Sequence, residues 1–436
     1  MITPMLIAID AIFNIGAEML FLKSLFLIKR LTTNHSNFMK NYLSKHLKIT
    51  ALFGLLMLTA CNAQQKDDII VGANRMTEYL PLVKDKNVGI VSNQTSLVKT
   101  DDDGYVHLVD TLLKRDMKVK KVFAPEHGFR GKADAGEVIE DGIDRKTGLP
   151  IISLYGENKM PTRTQLEDID IILFDIQDVG VRFYTYISTL HYIMKACAKF
   201  EIPLIVLDRP NPNADLVGGP VLKEGFESFV GMHAIPVAHG LTIAEYARMI
   251  KGEGWLGKNL RTELHLIYME NYNKSMRYEP PVPPSPNLPN YRSIRYYPSL
   301  CFFEGTKISV GRGTDIPFQV FGAPFLPKKK YTFNFTPQPN EGAQYPKHQG
   351  EKCYGEKFSE LPASKVNIAH LVQVYKDSPE KAGFFNDFFN KLAGNSSLKK
   401  KIKDGWSAKA IHASWKKDLE KYRLKRSKYV HYPSDR

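Results

Sequence analysis

Five short apolar runs rich in β-branched residues, at 88–92, 119–124, 151–154, 169–174 and 204–207, recur along the first half of the chain. Helix-like stretches at 106–115, 162–167 and 185–200 separate several of them. Strands that alternate with helices pair in parallel, because each crossover is long enough to hold a helix, and the sheet is then covered on both faces. The pattern predicts an α/β fold, a Rossmann-like parallel sheet. In such sheets ligands sit beyond the carboxyl ends of the strands. The residues after each run are therefore candidate site residues: Ser92-Asn93-Gln94-Thr95, Pro125-Glu126-His127-Gly128, Tyr155-Gly156, Asp175-Ile176-Gln177-Asp178 and Asp208-Arg209-Pro210-Asn211-Pro212. A cap or a turn explains any one of them; five polar loops on one rim predict a binding site.

The texture changes near Glu279, where Pro280, Pro281, Pro283, Pro284, Pro286 and Pro289 crowd a stretch that cannot be regular helix or central strand. With 436 residues, 43% hydrophobic and 24% charged, the chain is long enough for two cores. The expected division is 62–279 for the Rossmann-like domain and 280–436 for a second. In the latter, 299–303, 307–310 and 331–335 are strand candidates, and a basic amphipathic helix over 407–425 is expected to pack on its own domain.

The N-terminus reads as an export signal. Met39-Lys40 opens a basic stretch containing Lys45 and Lys48, and residues 49–60 carry no charge. That run is too short to span a bilayer. It ends in Leu58-Thr59-Ala60-Cys61, followed by polar residues, and resembles a bacterial lipobox with Cys61 as the lipidated first residue. Residues 1–61 are thus expected to be a signal region, with 1–38 an over-extended reading frame upstream of Met39. The localisation that follows is an exported lipoprotein of the cell envelope, facing the periplasm or in the outer membrane, held to a membrane through Cys61.

The formal charge of +14 admits nucleic acid, an anionic membrane face or an acidic polymer as partner. Motifs narrow the choice. The first strand does not end in Gly-x-Gly-x-x-Gly, and no phosphate loop and no Gly-x-Ser-x-Gly elbow occurs. Cys197, Cys301 and Cys353 are widely spaced, and His127, His191, His233 and His239 lack the spacing of a helix-borne metal pair. The reading involves no nucleic acid, no metal and no cofactor.

Several strings occur in order that are too specific to be incidental: Asn93-Gln94-Thr95, Phe123-Ala-Pro-Glu-His-Gly128, Asp134-Ala-Gly136, Thr147-Gly-Leu-Pro150, Phe174-Asp-Ile-Gln-Asp-Val-Gly-Val-Arg-Phe-Tyr-Thr-Tyr186, Leu207-Asp-Arg-Pro-Asn-Pro212, Pro284-Ser-Pro-Asn287, Phe303-Glu-Gly-Thr306 and Val310-Gly-Arg-Gly-Thr314. Together they resemble the NamZ-type exo-β-N-acetylmuramidases, glycoside hydrolase family 171, from about Ile70 to Tyr432. The resemblance implies a smaller β-rich auxiliary domain joined to the Rossmann-like one, with a pocket at their interface for a terminal N-acetylmuramic acid of peptidoglycan fragments.

Glycoside hydrolysis needs an acid for the leaving oxygen and a second group at the anomeric carbon. Glu126, at a strand end between Pro125 and Gly128, is the candidate acid, and it matches the family's catalytic glutamate. Glu304 and Asp178 stand equal for the second role, with Asp175 behind them; a third route lets the substrate's acetamido oxygen attack while Asp178 orients it. Carboxyl groups roughly 5 Å apart suit a retaining nucleophile, and roughly 6.5–9.5 Å leaves room for water. The lactyl carboxylate of muramic acid calls for a cation, for which Arg130, Arg182, Arg209 and Arg312 qualify. His127 and Gln177, with Tyr184, Tyr186, Asn93, Asn211 and Asn287, are expected to contact or stack on the sugar. The competing readings are a non-catalytic lipoprotein that binds muramyl sugars for uptake or sensing, and a hydrolase of another hexosaminide.

Overall fold

The computed structural model describes residues 68–130 and 141–434. The signal region with Cys61 and the Asp134-Ala-Gly136 string lie outside the described residues. Twelve strands are described: β1 (Val88–Ser92), β2 (Leu97–Lys99), β3 (Tyr105–His107), β4 (Val119–Ala124), β5 (Gly142–Ile143), β6 (Pro150–Ser153), β7 (Ile171–Asp175), β8 (Leu204–Leu207), β9 (Leu264–Ile267), β10 (Val320–Ala323), β11 (Phe333–Phe335) and β12 (Cys353–Lys357).

Seven of them form a sheet in the order β5-β6-β4-β1-β7-β8-β9. All neighbours are parallel except β5, which closes one edge antiparallel to β6. The chain builds outward from β1 through β4 to β6, then returns to add β7, β8 and β9 on the other side. Its direction reverses at β1, which opens a crevice at the carboxyl ends of β1, β4 and β7. Every residue of β1, β7 and β8 is buried, as continuous rather than alternating apolar runs require. Side chains still alternate between faces. Val88, Ile90 and Leu173 pack with Tyr79, Leu108 and Leu112 on one side. Val91, Ile172 and Phe174 pack with the helix Tyr186–Phe200 on the other.

The second apolar cluster continues without a break into the C-terminal part, through Phe302, Phe321, Phe389 and Trp415. There β10, β12 and β11 form a small antiparallel sheet, accompanied by helices that include Ala369–Asp377 and Ala408–Arg426. The last of these buries Ile411, Trp415 and Tyr422. It packs against the loop after β8 rather than on its own domain alone: the Tyr422 hydroxyl donates to the His239 carbonyl at 2.8 Å, and Arg426 donates to the Gly240 carbonyl.

Two strand expectations fail. Residues 299–303 close the helix Tyr291–Leu300 and enter the 3-10 turn Cys301–Gly305. A reciprocal cap starts that helix, in which Asn290 accepts from the Ser293 amide and Ser293 returns a bond to the Asn290 amide; this cap outweighs the strand preference of the aromatic residues after it. Residues 307–310 make one isolated bridge, Ser309 to Gly322, in place of a strand. The expected helix at 162–167 is a single 3-10 turn, Thr164–Leu166.

Candidate active site

A cavity of about 500 Å³ opens at the carboxyl ends of the parallel strands, roofed by the C-terminal part. Glu126 and His127 enter from the loop after β4, Tyr155 and Lys159 from the loop after β6, and Tyr184 and Thr185 from the loop after β7. The proline-rich segment contributes Ser285 and Asn287. It is tied to the rim by the Tyr184 hydroxyl, which donates to the Pro284 carbonyl at 2.7 Å, and by Gln94, which donates to the Pro283 and Pro284 carbonyls. Glu304 and Arg312 come from beyond it.

The turn carrying Glu126 is unusual in its backbone. Gly128 donates to the Pro125 carbonyl at 3.0 Å, and His127 has φ 71°, a left-handed conformation that a side chain other than glycine's tolerates at a cost of order 1–3 kcal/mol and that clusters at functional sites. The turn presents the Glu126 carboxylate to the first turn of the helix Tyr186–Phe200, whose N-cap is Thr185. The Thr185 hydroxyl donates to Glu126 Oε2 at 2.5 Å. Tyr155 gives a second hydroxyl hydrogen bond to the same carboxylate; burial first, and then the Glu126 charge, push the Tyr155 hydroxyl above its ordinary pKa. A carboxylate at a helix N-terminus with two hydroxyl donors is fixed in position.

Glu304 sits across the cavity on the 3-10 turn Cys301–Gly305. Arg312 holds it by a forked pair, with Nη2 2.8 Å from Oε2 and Nε 3.0 Å from Oε1. Burial alone would raise the Glu304 carboxyl, but the Arg312 charge and hydrogen bonds, with Lys347 behind them, hold it below the usual carboxylate range. Lys347 also fixes the loop: its ammonium donates to the carbonyls of Thr306 at 2.6 Å, Ile308 at 3.1 Å and Phe303 at 3.2 Å. Glu304 therefore stays ionised in neutral solution.

The other expected site residues divide sharply. Tyr184, His127, Asn287 and Arg312 line the cavity with the two glutamates. Asn93, Asp175, Gln177, Asp178, Arg209 and Asn211 do not; they form a buried polar layer beneath it. Asn93 donates to the Tyr186 hydroxyl at 2.8 Å and accepts from Thr95. Gln177 donates to the Asp178 and Pro210 carbonyls. Asn211 donates to the Leu241 carbonyl and accepts from the Asn213 amide. Arg209 and Asp175, both buried, make a two-pronged ion pair at 2.6 and 2.8 Å. Arg130 lies outside the cavity, paired with Asp144 and stacked over Phe129. Arg182 is fully buried and gives its guanidinium to the carbonyls of Pro220, Ile235 and Leu392 at 2.7–2.8 Å. Of the four arginines expected to meet a substrate carboxylate, only Arg312 reaches the cavity, and its fork is occupied by Glu304.

Asp178 Oδ2 accepts from the Gly180 amide at 2.6 Å, while Oδ1 is buried without a hydrogen-bond partner among the described residues. His239 Nε2 lies 3.8 Å from Oδ2. His239 Nδ1 accepts from the Leu241 amide, and burial pushes the imidazole down to about 3, so the ring is neutral with its proton on Nε2, facing Asp178. Burial pushes Asp178 up to about 7 from its ordinary 3.8. The folded state then holds a proton that the unfolded chain has released, so this group's contribution to stability falls as pH rises from about 4 to about 7. Asp178→Asn removes that loss. The melting temperature of the variant relative to the native chain should be more favourable at pH 8 than at pH 5; a difference that does not change with pH contradicts this.

Two carboxylates facing one cavity walled by tyrosine and phenylalanine at the carboxyl ends of a parallel sheet are what a glycoside hydrolase needs. The comparisons agree with that class. Residues 88–292 match the model described as exo-beta-N-acetylmuramidase NamZ, N-terminal, and residues 295–432 match its C-terminal counterpart. The chain belongs to the NamZ exo-β-N-acetylmuramidase family. It is 36% identical over 384 residues to peptidoglycan beta-N-acetylmuramidase NamZ of Bacillus subtilis (strain 168), covering 82% of this chain and 89% of that one. Two crystal structures of DUF1343 family proteins from Bacteroides fragilis share the fold. One has TM-score 0.78 and 40% identity over 85% of this chain and 100% of its own; the other has 0.72 and 27% over 84% and 99%.

Proposed function

We infer that this chain releases terminal, non-reducing, β-linked N-acetylmuramic acid from peptidoglycan fragments, with Glu126 as the proton donor to the leaving oxygen. The observation that carries the assignment is that Glu126 and Glu304 face one cavity in different settings. Glu126 is positioned by two neutral hydroxyl donors, whereas Glu304 is clamped as an anion by Arg312. A group that must exchange a proton suits the first setting, and a fixed negative charge suits the second. Glu304 is thus the second catalytic carboxylate, acting on the positive charge that develops at the anomeric carbon. Asp178 is outside the cavity lining, with Oδ2 on the Gly180 amide and His239 beside it. The test is product analysis on N-acetylmuramyl-β-1,4-N-acetylglucosamine. Release of both monosaccharides supports the reading, and an intact disaccharide bound without turnover supports the non-catalytic one.

The lipobox-like end at Cys61 supports export and membrane attachment, so that the cavity acts in the cell envelope. One acyl chain binds reversibly, and stable anchoring takes more than one. Cys61→Ser should move the protein from the membrane to the soluble fraction. Recovery in the soluble fraction before the change as well as after it contradicts an anchor.

A further inference from the structure

We propose that Lys159 is the residue that recognises the lactyl carboxylate of the substrate, and so sets the preference for muramic acid over glucosamine. The proposal rests on the muramidase reading above and adds to it the group that selects the sugar.

N-Acetylmuramic acid differs from N-acetylglucosamine by a lactyl ether carrying a methyl group and a carboxylate on one carbon. A carboxylate that leaves water for this cavity needs a cation to meet it, because an unpaired buried charge is costly. Three of the four candidate arginines are outside the cavity and committed elsewhere: Arg130 to Asp144, Arg209 to Asp175 and Arg182 to three backbone carbonyls. The fourth, Arg312, spends its fork on Glu304.

Lys159 is the remaining lysine or arginine in the lining. It lies on the loop after β6, half-buried, at the same strand-end rim as Glu126. Its ammonium makes no ion pair or hydrogen bond among the described residues, and it rests 5.4 Å from the centroid of the Phe229 ring. That contact holds the side chain over the cavity wall without neutralising it. Phe229 and Val230 line the cavity next to it. An apolar surface and an uncompensated ammonium side by side match the two halves of the lactyl group, methyl and carboxylate. A lysine whose ammonium has no ion pair or hydrogen bond among the described residues also has little structural work to lose, unlike the arginines.

The test compares two para-nitrophenyl glycosides on the full chain: the β-N-acetylmuramide, and the same compound with its lactyl carboxylate capped as the primary amide. The native protein should prefer the acid. Lys159→Met should lower kcat/KM on the acid by at least about 30-fold, the scale on which a buried charge loses its partner, and bring the ratio of acid to amide near one. Lys159→Arg should keep most of the preference, and Lys159→Gln serves if the methionine variant does not fold. A variant that lacks the ammonium yet keeps the native acid-to-amide ratio overturns the assignment of Lys159. Turnover of neither glycoside by the native protein overturns the muramidase reading, and the role of Lys159 with it.

Discussion

Glu126→Gln should slow release of N-acetylglucosamine from the natural disaccharide by about 10²–10⁴-fold, the contribution of a positioned general acid. The amide is nearly isosteric with the carboxyl group and can still accept from the Thr185 hydroxyl that now meets Glu126 Oε2 at 2.5 Å. The turn should therefore hold its shape, and disaccharide binding should survive. The loss should also depend on the leaving group. A sugar alkoxide needs a proton as it departs, whereas para-nitrophenolate leaves without one, so the nitrophenyl glycoside should suffer much less. Steady-state kinetics on the two substrates measures both effects. Equal losses on both would move Glu126 to a different step, and no loss on either would remove it from the chemistry.

The second large effect concerns stability. Arg209 and Asp175 are a forked ion pair with side-chain exposures of 3% and 0%, at the carboxyl end of β7 where it meets the loop after β8. Truncating one partner strands the other charge in a medium that cannot solvate it, at a cost of about 3–5 kcal/mol. Arg209→Ala should therefore lower the unfolding free energy by that amount in denaturant melts, with a lower midpoint, and it also frees the Leu97 carbonyl that Arg209 now satisfies. Replacing both residues together, as Asp175→Asn with Arg209→Met, should recover part of the loss because no lone charge is left. If Arg209 contacted substrate instead, Arg209→Ala would raise KM and leave the midpoint near its native value. The double replacement would then recover no stability.

The contrast between Glu126 and the buried Arg209–Asp175 pair separates what the sequence discloses from what it does not. The sheet was legible because β1, β7 and β8 are buried on both faces and so appear as uninterrupted apolar runs. By contrast β9, Leu264-His-Leu-Ile267, is an edge strand only partly buried, and its histidine interrupts the apolar pattern. The rim itself was legible from the polar residues after each strand. What the order of residues does not carry is depth. Glu126 follows β4 by two positions and Asp175 ends β7, yet one faces the cavity and the other pairs with a buried arginine. A polar group buried under a site needs partners as badly as one inside it needs substrate, and both requirements put polar residues in the same loops. Tyr155 follows a strand and is legible as a rim residue, but Lys159 carries no such signal: its neighbours form no recognisable string, and only the folded loop after β6 brings it into the cavity that Glu126 lines. Residues 299–303 misled because aromatic side chains favour strands, while the decisive cap lies nine residues upstream at Asn290.

Whether this cavity cleaves a muramide is measured directly by nitrophenol release by the purified chain beginning at Asn62 from para-nitrophenyl β-N-acetylmuramide and, separately, from the corresponding glucosaminide. Release from the muramide alone is the expected result. Release from neither, with the protein shown to be folded, would contradict a catalytic role and favour a protein that holds muramyl sugars without cutting them.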